Sequence, residues 1–97
     1  MFVLALRVEM HFSACRSLKE KRAVIKPVIE GIRVRHHASV AETEFHDQWQ
    51  RAAIGVAVVS ATPGGAEEWM DQIERFVWSR PDIEVTSVRR EWTDFES

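Results

Sequence analysis

Residues 46–52 read HDQWQRA, placing a histidine, an aspartate, a tryptophan and an arginine within six positions. A histidine beside a carboxylate is the raw material of a general base. A tryptophan beside an arginine is that of a nucleic-acid contact, with a base stacked on the ring and a phosphate on the guanidinium. General-base work needs imidazole and carboxylate to converge, yet adjacent residues on a strand point to opposite faces, and on a tight turn they diverge. The spacing therefore favours a hairpin bend, with Asp47 accepting from backbone amides and Trp49 covering one end of a sheet. A partner contact at Trp49 and Arg51 is the second reading, and catalysis at His46 and Asp47 comes last.

Other residues with chemical potential are fewer. Arg16 and Ser17 precede Leu-Lys-Glu20, and the S-x-x-E pattern is a capping box. Its Ser17 hydroxyl is expected to accept from the Glu20 amide while the Glu20 carboxylate reaches back to the Ser17 amide. A helix start with an arginine beside it is a candidate anion site, so Arg16 and Ser17 are marked for a sulfate or a phosphate oxygen. His11, His36, His37 and His46 show no HxH or HxxxH spacing, and neither a metal nor a cofactor is expected. His36 and His37 close the same helix, where its C-terminus favours imidazolium. Cys15 is the single cysteine, which excludes an internal disulfide and a Cys-rich zinc site and points to a structural thiol.

The net charge of −2 hides a division. Residues 16–37 carry seven basic against two acidic side chains, a balance of +5, whereas residue 38 onward carries five against twelve, a balance of −7. One basic segment on an acidic molecule suggests that one face meets a polyanion. On a helical wheel Lys19, Arg22, Lys26 and Arg33 fall within about 60° of one another. They form a ridge that can track phosphates without reading sequence. Lys19, Lys21, Arg22, Lys26 and Arg33 are the expected nucleic-acid contacts on this segment, with Trp49 and Arg51 as a second contact.

These residues need elements to carry them. Phe2, Leu4, Leu6, Val8, Met10 and Phe12 alternate with Val3, Ala5, Arg7, Glu9 and His11, the period of a strand with one apolar face. After the capping box, Leu18, Ile25, Val28, Ile29 and Ile32 recur at helical spacing. Pro27 points away from that stripe, so a kinked helix of about five turns is expected, not two helices. ASVAETEF reads as an edge strand and RAAIGVAVVSA as a central one, with HDQWQ between them. Thr62-Pro-Gly-Gly65 is expected to break the chain. A second helix follows, with Trp69, Ile73, Phe76 and Val77 on one face, Trp78 exposed opposite them, and Glu67, Glu68 and Asp71 in its first turns. It ends before Pro81, and IEVTSVRREW is the last strand.

The order strand-helix-strand-strand-helix-strand, with right-handed crossovers, implies one α+β domain over residues 1–97. It is a ferredoxin-like β-α-β-β-α-β unit whose two helices cover one face of a four-stranded antiparallel sheet. RNA-recognition motifs stack bases on aromatics of the two central strands in this topology. Here the open-face positions Val3, Ala5, Arg7, Glu9, Ala53, Gly55, Ala57 and Val59 include no aromatic, so RNA is expected on the helix side and loops. That small, partly apolar face makes a homodimer the rival reading. Acylphosphatases use a comparable anion loop on this fold but need an asparagine to place water, and the chain has none. No apolar run approaches the ~18 residues of a membrane span. The opening MFVLALRVEMHF lacks the regions of a signal peptide, so a cytoplasmic location is expected.

The runs SLKEKRAVIKPVIEGIR and VAETEFHDQWQRAAIGVAVVS strongly resemble the YlxP-like family of small bacterial proteins, a domain of unknown function, over nearly the whole chain. SLKxKR and HDxWQRA are the most specific parts, and Pro27 and Gly31 in the first helix are the departure. The resemblance implies a ferredoxin-like fold. The family's genes commonly sit among those for translation initiation and ribosome maturation, which implies a ribosome-associated role similar to that of ribosome-binding factor A. No settled activity comes with it. The expectation is a non-enzymatic factor whose partner is RNA or a ribosomal subunit.

Overall fold

A computed structural model of the chain describes residues 1–93. Its elements are β1 (Phe2–His11), α1 (Leu18–Arg35), β2 (Ser39–Glu44), β3 (Arg51–Ser60), α2 (Pro63–Trp78) and β4 (Glu84–Thr93). The strands form one antiparallel sheet in the order β2-β3-β1-β4, the ferredoxin-like arrangement expected from the pattern. The alternation in β1 is realised from Leu4 onward: Leu4, Leu6, Val8 and Met10 are buried under the helices, while Phe2 at the strand's start is exposed. They meet Ile54, Val56 and Val58 of β3, Ile25, Val28 and Ile32 of α1, and Met70, Ile73 and Val77 of α2 in one cluster. Each such side chain contributes about 1.5–3 kcal/mol by leaving water.

α1 runs unbroken through Pro27, which is exposed. The carbonyl that proline leaves without a donor therefore sits on the wet side, where water satisfies it. Thr62-Pro-Gly-Gly65 does not break the chain. Thr62 caps α2, its hydroxyl accepting from the Gly65 amide at 3.0 Å, and Pro63 opens the helix. Proline at a first helical position costs nothing because its missing amide is one of the unpaired ones. The first turn of α2 consequently holds no acid, and Glu67, Glu68 and Asp71 lie further along. No helix among the described residues is long and apolar enough to cross a membrane.

Candidate nucleic-acid interface

The basic segment divides when folded. Lys19, Arg22, Lys26 and Arg33 are all exposed on α1. Lys26 lies 3.9 Å from Glu30, and among the described residues Lys19, Arg22 and Arg33 have no carboxylate within ion-pair distance. Arg33 lies fourteen positions beyond Lys19, so at ~1.5 Å per residue the ridge runs about 21 Å along the helix. It is a line of positive charge on the helix layer, interrupted between Lys26 and Arg33 by Glu30.

Lys21 does not belong to it. It is 1% exposed, with its ammonium 2.7 Å from the Phe45 carbonyl and 2.9 Å from Glu42 Oε2. The first is an aligned hydrogen bond. The second is charge attraction without alignment, so among the described residues Glu42 Oε2 has no hydrogen-bond donor. The expectation of a phosphate contact at Lys21 is therefore corrected. The signal was present in the spacing: Lys21, Ile25, Val28 and Ile32 stand at i, i+4, i+7 and i+11, the stripe that the core covers.

Phe45, which carried no expectation, receives that lysine. Its φ is 65°, a left-handed conformation rare for a bulky side chain. Its carbonyl also accepts from the Gln48 amide at 3.0 Å, closing the turn that contains His46 and Asp47. Arg51 lies over the Phe45 ring, 3.7 Å from its centroid, and its guanidinium pairs with Glu9. Arg51 sits in register with His11 on the open face of the sheet, across from the ridge. Expected as a second phosphate contact, it is exposed but already carries a carboxylate partner within the fold. That bond, followed by one from Arg7, holds the Glu9 carboxyl below the usual glutamate range against the opposing effect of desolvation.

The remaining HDQWQRA residues serve the bend. Gln50 donates from its side-chain amide to the carbonyls of Ser13 and Cys15, at 3.3 and 3.1 Å, tying the loop before α1 to the start of β3. His46 donates from Nε2 to the Glu42 carbonyl at 3.1 Å, so its ring is engaged by backbone. Trp49, expected over one end of the sheet, is 51% exposed. It stands beside Gln50, at the same end of the molecule as the N-terminus of α1. Lys19 and Arg22 occupy the first turns of that helix.

The anion site at Arg16 and Ser17 is filled by the protein itself. The Ser17 hydroxyl accepts from the Glu20 amide at 3.1 Å, and the Arg16 amide, not that of Ser17, donates to the Glu20 carboxylate. An acid from the first turn thus takes the place an external anion would need. Cys15 is buried, and burial first, then the charges of Glu20 and Asp82, push its thiol up. His36 also departs from expectation. Its ring packs 5.4 Å from Phe76, and burial, then Arg35 and His37, push its pKa down, so desolvation outweighs the helix C-terminus. Among the described residues no three His, Cys, Asp or Glu side chains gather closely enough to hold a metal ion.

The open face is less smooth than the alternation suggested. Arg51, Glu9, Arg7 and Glu44 form a ladder of alternating charge across β3, β1 and β2, under which Ala53 is fully buried. Beside the ladder lies a trough of about 580 Å³ whose lining includes Ala5, Ala41, Gly55 and Ala57.

The family model for a protein of unknown function called DUF503 matches residues 3–90. The chain belongs to the DUF503 family. It is similar to the uncharacterized protein YlxP of Bacillus subtilis (strain 168), with 38% identity over 76 residues that cover 78% of this chain and 83% of that protein. Among solved structures, the DUF503 chain resembles two de novo designed proteins. One is Foldit4, at 14% identity and TM-score 0.54 over 98% of both chains. The other is LFR1 1, described as having a ferredoxin fold, at 17% identity and TM-score 0.54 over 100% of this chain and 90% of that one. At such identities the likeness concerns the fold alone.

Proposed function

We propose that this DUF503 protein is a non-enzymatic, cytoplasmic RNA- or ribosome-associated factor acting in ribosome maturation or translation. The observation that carries the reading is the ridge of exposed cations on α1, three of its four members without a carboxylate partner among the described residues. Lys19, Arg22, Lys26 and Arg33 meet phosphates, and Trp49, at the ridge's starting end, offers a ring to an unstacked base. Lys21, Arg51, Arg16 and Ser17 take no part. Four phosphate contacts give a slope of about −2.8 in log K against log salt for a single strand, so doubling the salt weakens binding by roughly sevenfold. Fluorescence anisotropy with labelled single-stranded RNA tests this. Lys19→Ala, Arg22→Ala and Lys26→Ala together should reduce the slope to about −0.7. Salt-independent binding, or a slope unchanged in the triple variant, refutes the reading.

The trough on the opposite side of the sheet supports a second, compatible reading, self-association through the open face. A dimer joined there leaves both ridges exposed.

A further inference from the structure

The register of the sheet gives the trough an internal symmetry. Val40, Val56, Leu6 and Arg90 lie in one row across the four strands. On the open face, the positions one residue to one side of that row are Ala41, Gly55, Arg7 and Arg89. Those on the other side are Ser39, Ala57, Ala5 and Glu91. All eight line the trough. A two-fold axis laid along the row, between two copies of the sheet, sets each member of the first group over its counterpart in the second. Gly55 then faces Ala57 of the other copy, Ala41 faces Ser39, and Arg89 faces Glu91.

The charges fit that operation. Arg7 is already held by Glu9 at 3.3 Å and Glu44 at 2.9 Å. Among the described residues Arg89 has no carboxylate, and Glu91 no cation, within ion-pair distance. They share one face of β4 and stand symmetrically about Arg90, so the two-fold that matches the small residues also supplies each with its missing partner, twice. Sheets stack about 10 Å apart, and a seam of glycine, alanine and serine lets them approach without a bulky side chain between them. Val59, 55% exposed on the same face, stands to be shielded as well.

We propose that the occupant of the trough is a second copy of this chain, stacked sheet on sheet about this two-fold and locked by two Arg89–Glu91 pairs between copies. The proposal rests on the self-association reading and adds the operator and the pair that sets register. Sedimentation equilibrium of four samples over a range of concentrations tests it: the unmodified chain, Arg89→Glu, Glu91→Arg, and an equimolar mixture of the two variants. Each variant alone opposes two pairs of like charge and should weaken self-association by at least about tenfold. The mixture opposes unlike charges at both positions and should recover a heterodimer. Circular dichroism on each variant confirms the fold, and both positions are exposed. An unmodified chain that stays monomeric throughout overturns self-association and the pairing with it. A dimer whose affinity neither variant changes, or variants that fail to recover on mixing, overturns the pairing and leaves self-association standing.

Discussion

Replacing Lys21 by methionine separates the buried cation of α1 from its exposed neighbours. Methionine nearly keeps the length of the buried lysine stem and removes the ammonium. Two groups lose a partner: the Phe45 carbonyl, which keeps the Gln48 amide, and the Glu42 carboxylate, whose Oε2 has no hydrogen-bond donor among the described residues to fall back on. Removing one member of a buried ion pair costs about 3–5 kcal/mol. Glu42 retains some access to water, its side chain being 20% exposed, which favours the lower end, about 3 kcal/mol. In a domain of this length that lowers the melting temperature by roughly 12–24 °C. Phe45 would also be released from the tie that helps hold its left-handed backbone, so β2 and β3 should loosen first at that bend. Urea and thermal melts followed by circular dichroism measure the loss. Adding Glu42→Gln should return about 1 kcal/mol or more, because no unpaired charge is then left behind. A single-variant loss under about 1 kcal/mol, with no recovery in the double variant, would refute the assignment of Lys21 to the core. Below its melting range Lys21→Met should retain the unmodified chain's salt slope for RNA.

Two further perturbations probe the scaffold. A Cβ on Gly31 would stand 2.4 Å from Phe76 Cζ, so Gly31→Ala should cost about 1 kcal/mol net, overpacking outweighing the gain in helix propensity. Adding Phe76→Leu should relieve that cost in the same urea melts. The Glu9 carboxyl is held below its ordinary value of 4.5 by Arg51 and Arg7. Its stabilising effect is therefore complete above that value and is lost as pH falls through the depressed folded value. Melting temperature should drop across that acidic window, and Glu9→Gln should flatten the drop; an unchanged profile would dissociate the ladder from acid stability.

Much of the fold was legible because burial writes its period into the chain. β1 and both helix faces follow from alternation and from i, i+3, i+4 spacing, and the capping serine announces α1. The Thr62 cap was misread because proline and two glycines look like punctuation when each is considered alone; together with the threonine they are a helix start. The site was less legible because charge in a sequence does not state where it is spent. Lys21 and Lys19 are equivalent in composition and two residues apart, yet one falls on the stripe that the core covers. Arg51 and Arg89 are both open-face arginines. Only the cross-strand register shows that Glu9 reaches the first, while no carboxylate among the described residues pairs with the second. Phe45 could not be found at all, since nothing in a phenylalanine signals a positive φ.

The two most distinctive stretches, SLKEKR and HDQWQRA, fold into one corner, and their residues part into inward and outward sets. Lys21 and Gln50 turn inward, onto Glu42 and Phe45 and onto the Ser13 and Cys15 carbonyls, while Arg51 pairs with Glu9 on the open face. Lys19, Arg22 and Trp49 face water at the same end. The inward set fixes the angle between the start of α1 and the bend before β3, and so fixes where Trp49 stands relative to the first cations of the ridge. On the proposed reading, an exposed ring at the starting end of the cation ridge lets one strand be gripped by its phosphates and by one unstacked base together. On that reading, these motifs combine residues that hold the corner with residues that bind through its outer surface. Substitutions in the inward set should move melting temperature and leave the salt slope alone. Those in the outward set should do the reverse.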